Sequence, residues 1–474
     1  MTGRQEAVPQ GRIRRALPLA GLTARTAGGH MVAALREKTG DPGAVARFHE
    51  RTAERYAEQL GHAKGVIMKV GQILSMIDAG CIGNGALSPY QKAMTRLQTD
   101  APPMDPALIN DVVRADLGRT AREVFAEFTA EPFAAASIGQ VHRAVTHDGR
   151  QVAVKIQYPG AAEAIRADLA NTELLATFLR VAASAAGTAI QPNLRQTTRE
   201  IAARIAEEVD YRREAANITA FSQLYHDHPF IRVPQVIGEA SGQRVLTMTY
   251  LNGMGWAAAQ QADQKLKNTW AEVISRFVLG SYRHANLVQA DPHCGNYCFG
   301  LDGTVGFVDF GCVKVLPEAQ RRRFVRMARA VVDGRRDELR DLMVESGFLA
   351  GESTLTADEV YHWWAQLLHE TLQTAQPVTF THDTSLRAIR GIFDVRSPEH
   401  PARRMAVPED FVFFSRIMLA ITTICAQLQA TLDARSIGAD MDGCSPPVTP
   451  LGKQHDAWVR RRGLPSGLDH HDHP

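Results

Sequence analysis

Four separated groups of residues carry side chains suited to handling a polyphosphate. Lys155 ends the β-branched run Val152-Ala153-Val154. An ammonium fixed at a strand end can hold the α- and β-phosphates of a nucleotide, although many strands simply end in a solvated lysine. Asp291 stands five residues before Asn296 in Asp291-Pro292-His293-Cys294-Gly295-Asn296. That spacing lets the carboxylate face an acceptor hydroxyl or water while the amide turns back to a magnesium ion. Asp309-Phe310-Gly311 follows the turn dipeptide Asp302-Gly303. Its carboxylate suits a metal that bridges phosphates, and Gly311 permits a sharp backbone turn after it. The fourth group is the acidic stretch Glu207-Glu208-Val209-Asp210-Tyr211-Arg212-Arg213-Glu214. Read as one helix, it puts Asp210 and Glu214 on a shared face and sends Glu208 elsewhere, so Glu214 is the expected partner of Lys155. Each group alone is also a solvated strand end or charged face; their order and spacing together carry the inference.

Positioning these groups takes a strand for Lys155, a helix for Glu214 and a hairpin ahead of Asp309. Asp148-Gly149 predicts a tight turn feeding the strand at 152–154, within a β-rich stretch over 125–156. The periodicity predicts helices over 41–79, 105–116, 161–186 and 195–225, with Gly118 as a C-cap, and a further strand over 245–250. Residues 297–300 and 305–308 pair about Asp302-Gly303, and the chain is otherwise helical to about 435, including a buried helix over 411–432. A small β-containing part followed by a larger helical one is an α+β chain in the order that a two-lobed protein-kinase-like fold requires. No G-x-G-x-x-G precedes Val152. Phe133-Ala134-Ala135-Ala136-Ser137-Ile138-Gly139-Gln140 takes its place, and three successive methyl groups restrict close backbone approach to phosphates.

The 474 residues are 45% hydrophobic and 22% charged, which excludes a disordered chain. A net charge of +2 provides no long-range field for nucleic acid, so no nucleic-acid partner is expected. Six irregularly spaced cysteines do not make a disulfide framework and fit a reducing cytoplasm. No apolar run is long enough to span a bilayer. Arg12, Arg14 and Arg15 ahead of the apolar run 16–24 read as a flexible basic arm, which Arg25 distinguishes from a secretory leader. The Pro- and Gly-rich tail from 443 onward is expected to be disordered.

With these motifs in place, the chain resembles the atypical kinase-like proteins of the UbiB/AarF type, over about 45–440. The Ala-rich loop, Lys69-Val70-Gly71-Gln72 as K-x-G-Q and Glu208-Val209-Asp210 as E-x-D carry the resemblance, together with Lys155, Glu214, Asp291, Asn296 and Asp309. The resemblance implies ATP and Mg as cofactors, with Lys155, Glu214 and Asp291 catalytic and Asn296 and Asp309 on the metal. Ala134, Ala135, Ala136, Ser137, Met248 and Tyr250 would contact the nucleotide, and Lys69, Gln72, Glu208 and Asp210 would gate the pocket. The implied layout is an arm (1–40), a helical extension carrying K-x-G-Q (41–118), an N-lobe (119–250), a helical C-lobe (251–442) and the tail (443–474). Thr249 and Cys294 depart from the family pattern; the first stands where an acidic residue is usual, the second where proline is. The implied role is ATP-driven support of quinone or other prenyl-lipid metabolism, in the cytoplasm at the inner face of a membrane, touching lipids or quinone-pathway proteins. Phosphoryl transfer to a protein or small molecule, and a non-catalytic nucleotide-gated scaffold, remain alternatives.

Overall fold

The computed structural model describes residues 104–163 except Ser137, residue 165, and residues 209–369, 374–385, 387 and 401–465 except Val407. It also describes a few positions between 36 and 51. Two compact units result: residues up to Ala216 together with Val236–Tyr250, and Asn217–Gln235 together with Leu251 onward. The expected N-lobe, 119–250, therefore cedes 217–235 to the second unit.

In the first unit, helix α1 (Pro106–Leu117) is set by local chemistry. The Asp105 carboxylate accepts the Ala107 N–H at 2.8 Å, Pro106 occupies the first turn, and Gly118 closes the helix at φ +72°. Strands β1 (Phe125–Phe128), β2 (Ala134–Ala136), β3 (Gly139–Thr146), β4 (Gln151–Gln157) and β6 (Val245–Thr249) form an antiparallel sheet in the order β1-β3-β4-β6, with β2 also on β3. Ala144, Val152, Val154 and Ile156 bury one sheet face against Ile109, Val112 and Val113 of α1. Each valine or isoleucine among them contributes about 1.5–3 kcal/mol when fully buried. Helix α1 thus belongs to this core, not to a separate extension ending at 118. The Asp116 carboxylate reinforces the docking by accepting N–H groups of Gln243, Arg244 and Val245 at 2.8–3.0 Å, at the entry to β6.

Helix α2 (Tyr211–Leu224) begins one residue after Asp210, whose carboxylate accepts the Arg212 N–H at 3.0 Å. Asp210 and Glu214 therefore do not share a helix face as the sequence suggested. A short acidic side chain at that point caps the helix instead of extending it.

The second unit is built round α3 (Gln264–Ala285), capped by Asp263 and closed by Asn286 at φ +55°. Three small ladders surround it. The first pairs β7 (Leu287–Gln289) with β10 (Val313–Val315). The second sets β9 (Val305–Phe307) between β8 (Tyr297–Phe299) and β5 (Ile231–Arg232). The third pairs β11 (Val378–Thr379) with β12 (Thr431–Leu432). Helices α4 (Glu318–Val332), α5 (Arg336–Glu345), α6 (Ala357–Leu367) and α7 (Glu409–Gln427) complete the layer. The helix expected over 411–432 ends earlier, because Thr431 and Leu432 leave it to join β11.

Residues 443–465 are not a disordered tail. After α8 (Ala434–Met441), Thr449 caps α9 (Pro450–Arg462), accepting the Gly452 N–H at 2.9 Å, with Pro450 in its first turn. His455, Trp458 and Val459 fall at i, i+3 and i+4 and are all buried. The Trp458 indole donates to the His226 carbonyl at 3.0 Å and stacks on Tyr225 at 5.7 Å. Burial of this aromatic stripe overrides the tail's polar, Pro-rich composition.

Two polar systems fasten this end to α3. Arg276, fully buried, bonds Glu272, both carboxylate oxygens of Asp440, and Thr449, all at 2.8–3.0 Å. Three buried histidines form a chain: His228 Nε2 to His455 Nδ1 at 3.0 Å, then His455 Nε2 to His284 Nε2 at 3.1 Å. His228 Nδ1 accepts the N–H groups of Phe230 and Ile231, and His284 Nδ1 lies 2.6 Å from the Pro465 carbonyl oxygen. One arrangement satisfies every nitrogen: each ring is neutral and passes one hydrogen along the chain to Pro465.

Candidate functional site

The first unit carries the cationic residue, Lys155. Lys155 lies opposite Val141 of β3 and Leu246 of β6, while Ala153 lies opposite Arg143 and Met248. Strand alternation puts these side chains on one sheet face and Val152, Val154 and Ile156 on the core face. Lys155 is 8% exposed and Glu214 3%. The Lys155 ammonium donates to Glu214 Oε1 at 2.7 Å and lies 5.6 Å from the centre of the Tyr211 ring. A buried ion pair of this kind is costly to break from one side, about 3–5 kcal/mol, so each partner fixes the other.

Ala134 and Ala136 pair with Val141 and Gly139, making a β2–β3 hairpin on the edge of the same sheet, with Ala134 and Ala135 exposed. Gly139 is required there, because a Cβ would stand 2.1 Å from the Ile156 carbonyl oxygen. Met248 is buried within β6, and the Tyr250 hydroxyl accepts from Arg143 at 2.6 Å, with the guanidinium 4.6 Å over its ring. Lys69, Gln72, Ser137 and Glu208 lie outside the described residues.

The second unit carries Asp291, Asn296 and Asp309, placed where two of its ladders end. Gln289 of β7 pairs with Val313 of β10, and the Ala290 N–H bonds the Cys312 carbonyl at 2.9 Å, so Asp291 leaves β7 beside the start of β10. Tyr297 pairs with Phe307, and the Val308 N–H bonds the Asn296 carbonyl at 3.1 Å. Asn296 thus sits across from Val308, one residue before Asp309. The Asn296 amide nitrogen donates to the Asp291 carbonyl at 3.3 Å, so the amide oxygen is the atom that could meet a cation. Asp309 Oδ1 accepts the Gly311 N–H at 3.0 Å.

A carboxylate and an amide oxygen are hard donors that fit magnesium, which keeps its remaining positions for water and phosphate oxygens. Zinc fits less well. Among the described residues no group of three His, Cys, Asp or Glu side chains is placed to hold a metal, and burial pushes the Cys294 thiol up to about 11, away from the thiolate.

Two neighbours of Asp309 escaped the spacing argument. Asn217 donates to the Phe310 carbonyl at 2.8 Å, and the Gln289 amide donates to the Asp309 carbonyl. These two amides belong to no metal or catalytic pattern, and nothing in the sequence marks them.

Residues 96–343 match the ABC1 atypical kinase-like domain. The chain is 30% identical over 418 residues to the mitochondrial atypical kinase COQ8B of Rattus norvegicus, covering 88% of this chain and 74% of that protein. It is 27% identical to the mitochondrial atypical kinase COQ8 of Saccharomyces cerevisiae, over 80% of this chain and 74% of the yeast protein. Against the mitochondrial atypical kinase coq-8 of Caenorhabditis elegans it is 29% identical and spans 50% of that protein. It therefore covers between half and three quarters of these relatives. The solved complex of Rv3197 with erythromycin from Mycobacterium tuberculosis superposes with a TM-score of 0.60 at 30% identity, covering 84% of this chain and 97% of that one. No described helix is long and apolar enough to cross a membrane. The kinase-like fold, the motif order and a domain match over more than half the residues agree: the chain belongs to the ABC1 atypical kinase-like family, the UbiB/AarF type its motifs resemble.

Proposed function

We propose that the protein is an ATP- and Mg-dependent atypical kinase or ATPase that moves the terminal phosphoryl group of ATP to water or an acceptor hydroxyl. The observation that carries this reading is the buried Lys155–Glu214 pair at 2.7 Å, on the sheet face shared with Ala153 and Met248. Glu214 fixes the position of the Lys155 ammonium, so its charge meets the α/β-phosphates without reorganising first. Ala134, Ala135, Ala136 and Ser137 would lie along the phosphates, and Met248 and Tyr250 along the base. Asp309 and Asn296 would hold magnesium, which supplies neutralisation of charge on the phosphate oxygens. Asp291 would orient the attacking hydroxyl and accept its hydrogen bond. Lys69, Gln72, Glu208 and Asp210 would restrict access to the acceptor side, which favours water or a small molecule over a protein chain. The UbiB-type resemblance supports a role in quinone or other prenyl-lipid metabolism at a membrane surface.

The test is a thermal-shift titration with Mg·ATP followed by phosphate release, on wild type and Asp309→Asn. At one hundred times the dissociation constant, ligand adds about 2.7 kcal/mol to native stability. Wild type is expected to shift and turn over, and the variant to do neither. Equal behaviour of the two proteins removes Asp309 from the site. The Mycobacterium tuberculosis relative solved with erythromycin favours one second reading, a nucleotide-gated binding protein. ATP-dependent ligand binding that Asp291→Asn leaves unchanged would favour it.

A further inference from the structure

The segment Asp309-Phe310-Gly311 is held by more than its own residues. Two successive peptide planes flank Phe310. The Asp309 carbonyl, in the first plane, accepts the Gln289 side-chain amide; the Phe310 carbonyl, in the second, accepts Asn217 Nδ2 at 2.8 Å. The second plane also carries the Gly311 N–H, which donates to Asp309 Oδ1 at 3.0 Å. A peptide's C=O and N–H point in opposite directions, so Asn217, by fixing the carbonyl end, aims the N–H end at the Asp309 carboxylate. The following residue is glycine, for which rotation of that plane is cheap, and the local chain alone would not hold it. Phe310 completes the restraint: it is fully buried, with its ring 4.8 Å from Phe221 and 6.4 Å from Phe277. Gln289 is itself 2% exposed and fixed in β7.

We propose that Asn217 and Gln289 are positioning residues that clamp the two peptide planes either side of Phe310 and so present the Asp309 carboxylate pre-set to a divalent cation. The inference rests on the reading of Asp309 as a metal ligand. Both clamps are neutral. Their removal leaves the charge of the site unchanged and alters only its geometry. Partners that orient a metal ligand without touching the metal commonly affect metal affinity by about 10- to 100-fold.

The experiment uses the full chain and reads Mn²⁺ binding by electron paramagnetic resonance in the presence of a non-hydrolysable ATP analogue, so that turnover plays no part. Asn217→Leu keeps the side-chain volume and deletes the donor; Gln289→Met does the same at the second clamp and stands in if the first variant does not fold. Each is expected to weaken Mn²⁺ binding about 10- to 100-fold while analogue binding without metal stays within twofold of wild type. The unfolding midpoint without ligands, recorded alongside, reports any purely structural loss. Asp309→Asn separates the two ideas. If it binds Mn²⁺ as wild type does, the metal reading itself fails. If it loses Mn²⁺ while both clamp variants bind within twofold of wild type, the site stands and the clamp is overturned.

Discussion

Two buried cations occupy different parts of this molecule and show how a held charge differs from a presented one. Arg276 in the second unit is fully buried, and its planar fork is shared among Glu272, Asp440 and Thr449. A guanidinium has a rigid set of donors, and here they are spent on two helices and the cap of a third, so the residue acts as a rivet. Lys155 in the first unit is a compact ammonium on a flexible stem, bonded to one oxygen of Glu214 and facing outward from a sheet whose other face is the core. Such a group can turn a donor toward an arriving phosphate while its carboxylate keeps it in place. Burial and charge by themselves do not mark a site. The more deeply buried cation is the structural one, and its partners Asp440 and Thr449 lie beyond the family match at 343.

The comparison breaks most visibly if the rivet is removed. Arg276→Met leaves the buried carboxylates of Glu272 and Asp440 facing each other's vacancy, at an expected loss of about 3–5 kcal/mol in chemical denaturation of the full chain. Phosphate release per folded molecule is expected to stay near wild type. A loss below 1 kcal/mol would mean that solvent reaches those carboxylates. Lys155→Met also strands a buried carboxylate, Glu214, and so loses stability too, but it should differ from Arg276→Met in function. Removing one pre-placed donor from developing phosphate charge lowers turnover by about 10²–10³-fold, and the Mg·ATP thermal shift should shrink with it. A variant that keeps both turnover and shift would place the nucleotide elsewhere.

The same contrast explains what was legible in the sequence. Lys155 could be singled out because Asp148-Gly149 announces the hairpin and the β-branched run announces the strand. Local patterns of that kind survive without tertiary information. The C-cap of α1, Gly118, was readable for the same reason, whereas Asp105, expected within the helix, caps it. Strands β7 and β10 were not. Each is three residues long, and they pair across a separation of more than twenty residues, so neither carries a periodic signal. Asp210 was misread because an acidic residue four positions before another fits a helix face and a helix cap equally well. Arg276 and Glu272 look like the solvated side of an amphipathic helix, and only the docking of α8 and α9 turns that side inward. The tail was misjudged by composition, which averages over the His455, Trp458 and Val459 stripe. Asn217 and Gln289 lay hidden because a hydrogen bond to a main-chain carbonyl demands no particular spacing.

The histidine chain offers the smallest and most selective test of how the second unit holds its C-terminal end. Burial is the first cause of depressed basicity at all three rings, lowering His228 to about 2, His284 to about 4 and His455 well below its ordinary 6.5. Arg232, Arg276, Arg283 and Arg321 face the chain from three elements and push in the same direction. An unfolded histidine takes up a proton near pH 6.5, whereas these folded ones do not. The unfolded state therefore binds more protons between pH 6.5 and about 4, and stability falls as the solution is acidified through that window. Each histidine contributes a slope of about 1.4 kcal/mol per pH unit there. His284→Asn keeps an N–H in the place of Nδ1 for the Pro465 carbonyl and removes one titrating ring. Its stability at pH 7 should drop modestly, since His455 Nε2 loses its acceptor. Its acid limb, followed by denaturation from pH 6 to 4, should be shallower by about 1.4 kcal/mol per pH unit. An unchanged slope would mean that His284 takes up its proton in the folded state as readily as in the unfolded one, and the hydrogen-bonded chain to Pro465 would then not describe the protein in solution.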